Sequence, residues 1–398
     1  MNESNDKSAL ERLLGREAGA VAAHEQSAWD EAVGGRDVPL VLFGAGGLGR
    51  RTLAGLRELG IEPLAFADNN PASWHKQVNG VTVLPVPEAA DRFGSKAAFV
   101  VTIWGGYSTE RMSQRVESLR ARGCKTVVPF APLYWKHPGT FLPHYSLDLP
   151  HKVFEQKGDV LAAYDLWADD ASRAEYLSQV RWRTDSDFEG LAEPVAHELY
   201  FPDDLITLRD DEHFVDCGAF DGDTLRAFLR HQGSRFASYA AFEPDPQNFA
   251  KLRSTADSLP PAVAEKVKTY PYAVDRKAGK VRFGATGTEA SSVGAGDTEV
   301  RCVALDEELA GSRPTYVKMD IEGSEPNAIA GFGRTISASA PFTAVCVYHL
   351  QNHLWQIPLL IRSLSDRYRF YLRPHLREVW DLVCYAVPAE RLAQGERR

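Results

Sequence analysis

Short, continuously apolar runs alternate with stretches of helical spacing over much of the chain. Val38 to Phe43 is a run of the first kind, Ile61 to Asp68, Ala97 to Ile103 and Thr126 to Phe130 are further strands, and Arg50 to Leu59 and Thr109 to Arg122 have the second pattern. A run that is apolar throughout predicts a strand buried on both faces, and a period near 3.6 predicts a helix with one buried face. This order predicts an α/β unit with a parallel sheet over residues 37–147. Ahead of it, residues 1–36 predict one or two amphipathic helices, with Leu10, Leu13 and Leu14 on one face and Gly34-Gly35 as the stop. Such a segment serves as a capping helix or as an arm to a partner subunit.

Residues 148–200 predict a helical bridge rich in charge, whose Tyr164, Trp167, Tyr176 and Trp182 are packing residues. A second α/β series fills residues 201–398. Strands are expected at Phe214 to Cys217, Tyr239 to Phe242, Val267 to Val274, Tyr316 to Met319 and Ala344 to Tyr348, with helices at Thr224 to His231 and Pro246 to Leu252. Val281 to Phe283 and Glu299 to Val303 suggest an inserted hairpin around a Gly/Ser-rich loop. Arg369 to Arg373 and Asp381 to Val387 alternate as an antiparallel pair at the sheet edge.

Composition narrows the function. The 398 residues are 44% hydrophobic and 25% charged, which fits a folded chain of two or three domains. Forty-five basic against 54 acidic residues give a net charge of -9, against the basic surface that nucleic acid requires. No apolar run is long enough to span a bilayer, and the start is polar. Cys124, Cys217, Cys302, Cys346 and Cys384 are scattered. They read as reduced thiols of a cytoplasmic protein.

Two loops carry the chemistry. Gly44, Gly46 and Gly49 form G-x-G-x-x-G between a strand and a helix, and Asp68 ends the next strand at the spacing of a dinucleotide fingerprint. Such a loop lets amides approach a phosphate, and Asp68 is placed for ribose hydroxyls. The alternative is a loop that only packs helix on strand. The second loop, Asp216 to Thr224, is acidic at Asp216, Asp221 and Asp223. It repels phosphate but suits a cationic ligand. S-adenosylmethionine has a sulfonium, an ammonium and a carboxylate and no phosphate. Glu243, at the next strand end, is placed to accept its two ribose hydroxyls.

Asp216 to Thr224, Phe242-Glu243-Pro244-Asp245-Pro246 and Val317-Lys318-Met319-Asp320-Ile321-Glu322-Gly323-Ser324-Glu325 resemble the FkbM-type methyltransferase family, the last run through its K-x-D-x-E-G-x-E signature. Leu305-Asp306-Glu307 also matches, and the resemblance covers about residues 200–390. It implies a class I domain with a seven-stranded, mostly parallel sheet that uses S-adenosylmethionine to methylate hydroxyls of sugars and natural-product scaffolds. By position, Asp216, Gly218, Ala219, Asp221 and Glu243 should line the cofactor, and Ala273 should lie near its adenine. The match weakens at Trp380-Asp381-Leu382-Val383. The front unit resembles the small nucleotide-binding domains that precede sugar-modifying enzymes, where the matching loop holds a nucleotide-sugar. It does so through Gly44 to Gly49, Phe66-Ala67-Asp68-Asn69-Asn70 and Val78-Asn79-Gly80-Val81-Thr82-Val83-Leu84.

The expected fold is therefore α/β, with two Rossmann-like domains joined by the helical bridge. Methyl transfer to a hydroxyl is an in-line displacement helped by alignment, desolvation and a base. His349 and Asp320 end putative neighbouring strands, so His349 is expected as base and Asp320 as its orienter or a substrate ligand. Glu322 and Glu325 are expected on sugar hydroxyls, with Glu325 alternatively capping a helix. Asp320 with Glu322 also offers oxygen ligands of the magnesium or calcium type. His349 and His353 are four apart but lack a third ligand for zinc. No metal is expected. Trp104, Trp135 and Trp355 are read as packing residues.

The reading is a cytoplasmic S-adenosylmethionine-dependent O-methyltransferase acting on a small-molecule or glycan acceptor, with a nucleotide or nucleotide-sugar in the front domain. It has no nucleic-acid or membrane partner, and self-association is left open. The alternatives are an NAD-dependent oxidoreductase using the first loop, and a non-catalytic binding protein with a methyltransferase fold.

Overall fold

The computed structural model describes residues 3–35, 38–285, 287, 292–293, 296 and 298–393. The chain divides into two compact units. The first comprises Met1–Gly158, Ala174–Pro194 and Leu376–Trp380, and the second comprises Asp159–Arg173, Val195–His375 and Asp381–Arg398. The stretch 148–200 is helical at His151–Glu155, Lys157–Tyr164 and Asp170–Asp185, and the two units share it.

The first unit holds strands β1 (Leu40–Phe43), β2 (Ala65–Asp68), β3 (Gln77–Val78), β4 (Val81–Pro85), β5 (Ala98–Val101) and β6 (Thr126–Pro129). Their order is β3-β4-β2-β1-β5-β6, parallel except for the β3–β4 hairpin. All four residues of β1 and of β5 are buried, as continuous apolar runs in a doubly covered sheet must be. Helices Glu3–Leu14 and Ala18–Val33 belong to this unit, and the second buries Ala28, Trp29 and Val33 in its core. Trp104, Trp182 and Trp380 form one aromatic cluster, with Trp104 against the other two at 5.5 and 4.9 Å between centroids. Beside it, buried Arg115 pairs with buried Glu378 at 3.3 Å.

In the second unit the strands run β7 (His213–Cys217), β8 (Ser238–Phe242), β9 (Val267–Tyr270), β10 (Ala273–Val274), β11 (Gly279–Gly284), β12 (Ser292–Val293), β13 (Thr298–Val303), β14 (Tyr316–Met319), β15 (Phe342–Cys346), β16 (Tyr368–Pro374) and β17 (Leu382–Pro388). Seven of them form the expected sheet, β16-β17-β15-β14-β7-β8-β9, parallel except for β17. The single strand expected over Val267 to Val274 is two. Pro271 has no N–H for the ladder, and past it the chain enters a separate four-stranded sheet, β10-β13-β11-β12. That sheet contains the expected inserted hairpin, β11 against β13. Its Gly/Ser-rich tip, at 286, 288–291, 294–295 and 297, lies outside the described residues. Among the described residues no helix is long and apolar enough to cross a membrane.

The first glycine loop shows how closely helix and strand pack. A Cβ on Gly49 would lie 1.9 Å from the carbonyl oxygen of Gly44, whereas one on Gly46 would meet nothing within 4 Å. Gly49→Ala should therefore cost about 1–3 kcal/mol, and Gly46→Ala should stay within about 0.5 kcal/mol of the parent. Denaturant unfolding followed by circular dichroism measures both, and equal losses would contradict this packing.

Candidate active site

In the second unit the acidic loop leaves β7 at Cys217 and enters helix Asp223–Gln232. Gly218 (φ +82°) is required there, because a Cβ would lie 1.9 Å from the carbonyl oxygen of Asp320. The N–H groups of Gly218 and Ala219 both donate to the carbonyl of Phe242, 3.0 Å away, which fixes the loop against the end of β8. Glu243 is 5% exposed. Its carboxylate accepts from the N–H of Phe220 at 2.9 Å and of Asp245 at 2.8 Å. Burial outweighs these bonds and pushes its carboxyl up to about 7. Asp221 is half-buried and paired with Arg226 at 2.7 Å. Ala273 packs its side chain with Phe283, Val300 and Cys302 in the core of the small sheet.

Asp216 does not reach the loop surface where the cofactor was expected to meet it. It is fully buried within β7, taking a 2.7 Å hydrogen bond from the Tyr239 hydroxyl and an ion pair from Lys318 Nζ at 3.1 Å. Strand register explains the pairing, since Lys318 lies opposite Asp216 where β14 meets β7. Lys318 also donates to the Gly218 carbonyl at 2.6 Å, so one ammonium holds both the strand acid and the loop. Although burial opposes its charge, Asp216 and then Asp320 and Asp223 hold it above the ordinary lysine value.

Asp320, Glu322, Glu325 and His349 come together at the ends of β14 and β15. His349 Nε2 lies 3.3 Å from Asp320 and 3.5 Å from Glu322, and Nδ1 lies 2.8 Å from Glu325. Burial works against a charged imidazole here, but Glu325 and Glu322, with Asp320 in contact, hold His349 well above the ordinary histidine value. Asp320 is drawn down to about 2, against its burial, by His349, Lys318 and the Tyr200 hydroxyl, which donates to it at 2.7 Å.

Two expected roles change. An imidazole with carboxylates at both nitrogens holds its proton at neutral pH, so His349 is not placed as the free base. Glu325 is fully buried and does not face a substrate. It accepts from the Ile321 N–H at 2.9 Å and lies 3.3 Å from His353, so it, rather than Asp320, orients His349 from behind. Rather than capping its own helix, it accepts from the N–H groups of Ile321 and Gly323 ahead of it. Glu322 (φ +54°) remains partly exposed, beside Asp320.

Two functional side chains escaped the sequence reading. Lys318 stands in the K-x-D-x-E-G run, and a lysine within an apolar strand was the signal. Tyr200 (φ +68°) carries no such mark. Its N–H donates to the Tyr385 hydroxyl at 3.2 Å, and its carbonyl accepts from the Tyr316 hydroxyl. A second His–acid group, His197 with Asp203 and Asp204, lies elsewhere in the unit, and Asp203 is exposed.

In the first unit, Gly44, Gly46 and Gly49 lie between β1 and helix Gly47–Glu58, and Gly46 opens to free space. Asp68 accepts from the N–H of Ala45 and of Asn70, both at 2.7 Å. It thus braces the glycine loop as Glu243 braces the acidic one.

Residues 216–377 match the methyltransferase FkbM domain family. The chain is similar to the crystal structure of a methyltransferase FkbM from Methylobacillus flagellatus KT, at 21% identity and a TM-score of 0.75, over 96% of this chain and 100% of that one. That likeness shows the fold, and its coverage takes in both units. A putative rRNA-methylase from Clostridium thermocellum aligns with 46% of this chain and 88% of its own at 7% identity, with a TM-score of 0.31, too low to carry an argument. No curated protein matches the chain.

The buried pair at the centre of the site yields a stability test. Lys318→Met leaves Asp216 charged and unpaired and should cost about 3–5 kcal/mol, with much of the loss recovered in the Asp216→Asn/Lys318→Met double variant. Urea unfolding of the four proteins closes the cycle, and simple additivity would argue against the pair.

Proposed function

We propose, from the premise that residues 216–377 form a methyltransferase domain of the FkbM family, that the chain transfers the methyl group of S-adenosylmethionine to a hydroxyl of a sugar, nucleotide-sugar or natural-product scaffold. The observation that carries this reading is the acidic loop Gly218–Gly222 braced by Glu243, with Asp320 and Glu322 partly open at the ends of the strands beside it. Asp221 in the loop and Asp223 at the start of the helix that follows suit a sulfonium and an ammonium, and Glu243 retains lone pairs for the ribose hydroxyls. Since the Ala273 side chain is spent on its own core, any contact with the adenine passes through its backbone.

The acceptor oxygen attacks the methyl carbon as the carbon–sulfur bond breaks, and S-adenosylhomocysteine leaves. The methylated oxygen is then a strong acid, so even a weakly basic carboxylate at the strand ends, Asp320 or Glu322, can take its proton. His349 supplies positive charge behind those carboxylates and fixes where they point. The acceptor is a small molecule or glycan. A cytoplasmic location accords with five free, buried cysteines.

Glu243 must be ionised to accept from two hydroxyls, and its carboxyl titrates at about 7. Affinity for S-adenosylmethionine should therefore be full above pH 8 and fall as pH drops through 7. Glu243→Gln should bind about 10–100-fold more weakly, with little pH dependence in that range. Isothermal titration across pH 5.5–8.5 reads both effects, and no binding at any pH would defeat the cofactor assignment.

For the front unit we propose a nucleotide-sugar at Gly44–Gly49, motivated by the open space above Gly46. Gly46→Val fits the folded chain and fills that space. It should leave the unfolding midpoint unchanged and abolish binding of a nucleoside-diphosphate sugar, with NAD titrated in parallel. Unaltered sugar-nucleotide affinity, or a preference for NAD, would count against it.

A further inference from the structure

We propose that the acids and the imidazole at the ends of β14 and β15 bind a divalent cation, held by Asp320, Glu322 and Nε2 of His349, with the Nε2 proton released to solvent as the cation takes its place. The methyltransferase reading bears on what the cation does there, not on whether it binds.

Donor atoms of Asp320, Glu325 and His349 all lie within 4.8 Å of one another, and Glu322 joins the group through His349 Nε2, 3.5 Å away. Donors that share one cation at about 2.0–2.6 Å lie at most about 4–5 Å apart. The polar atoms of the group are also buried without hydrogen-bond partners. These are both ring nitrogens of His349, Oδ1 of Asp320, Oε2 of Glu325 and Nδ1 of His353. They face one another at 2.8–3.5 Å, a contact distance for ions, in geometries that N–H···O bonds do not fill. His349 is 3% exposed and His353 is 1% exposed, so the orphaned atoms belong to the interior and not to a loose surface group.

Charge points the same way. Three carboxylates converge on one imidazole, while the neighbouring ammonium of Lys318 is already committed to Asp216 and to the Gly218 carbonyl. The four groups divide the work. Glu325 lies on the Nδ1 side and takes the orienting position behind a ligating histidine. Asp320 and Glu322 lie on the Nε2 side, with 24% and 17% of their side chains exposed, where a cation can enter and retain open positions. An oxygen-rich set with a single imidazole suits manganese or magnesium. The expectation of no metal weighed Asp320 with Glu322, and His349 with His353, as separate pairs. Folding joins His349 to the two acids. A cation there would meet the acceptor oxygen at the strand ends and polarise it.

The test is titration of the full chain, stripped with a chelator, with Mn2+ followed by electron paramagnetic resonance of the free ion. S-adenosylhomocysteine is titrated in parallel. One Mn2+ per chain is expected. Its affinity should fall at least about tenfold, about 1.4 kcal/mol, in Asp320→Asn and in Glu322→Gln. It should be unchanged in Asp203→Asn, which disarms the exposed His197 group. S-adenosylhomocysteine binding by each variant reports that it is folded. If the wild-type chain binds S-adenosylhomocysteine and leaves Mn2+ free, the cation proposal fails and the methyltransferase reading stands. Mn2+ binding that survives both site variants, or is lost in Asp203→Asn, also overturns it. Mn2+ bound and released by the site variants, with no affinity for S-adenosylhomocysteine, supports the cation and tells against the cofactor instead.

Discussion

The ammonium of Lys318 is the constraint on which the second unit's site depends. It sits in the sheet between the acid of one strand and the carbonyl of the loop that leaves that strand. The same loop packs directly on β14's end, because Gly218 lies against the carbonyl of Asp320 with no space for a methyl group. Strand β14 therefore presents Asp320 to the crevice while its lysine and its backbone hold the acidic loop. The loop and the acid pair cannot be positioned independently. A buried ion pair adds little net stability over a well-packed apolar alternative. What it supplies here is register, tying β7 to β14 at the level where both chemistries begin.

The two glycine loops share a construction although their side chains differ in charge. In each, an acid at the end of the adjacent strand accepts an N–H from the loop, Asp68 from Ala45 and Glu243 from Phe220. The brace is a backbone device and is indifferent to the ligand. Discrimination rests on what lines the turn. The first loop has bare glycine at Gly46 and Gly47, open to space, and the second has Asp221 beside the entry to its helix. Loops of like geometry thus present bare backbone in one unit and a carboxylate in the other.

Much of this was legible in the sequence, for a physical reason. Strands covered on both faces must be apolar throughout, so β1 and β5 announce themselves, as does the glycine loop that separates β1 from its helix. Pro271 was a visible breaker inside an apparent strand, yet the run of Val267 to Val274 outweighed it. The acids near Asp320 were equally visible, but not the direction each faces. Whether Glu325 meets solvent or the back of His349 depends on how β15 registers against β14, which no local pattern encodes. Lys318 was readable once its strand was paired with that of Asp216. Tyr200 was not, because its place comes from long-range partners, Asp320, Tyr316 and Tyr385 among them, and a left-handed backbone that an ordinary tyrosine does not advertise.

The turn between β16 and β17 has a consequence for how such a chain is handled and inherited. Leu376–Trp380 is counted with the first unit although both flanking strands belong to the second. Within that unit Glu378 and Val379 are buried and the Trp380 ring packs at an angle against Trp104 and edge-on against Tyr145. A fragment begun near residue 200 would carry this greasy, acid-bearing tip with nothing to receive it. The complementary fragment would lack a piece of its own interior and leave Arg115 without its carboxylate. The gene can thus be cut between the halves only at the expense of both, and a swap of the front body for another would have to bring a matching socket with it.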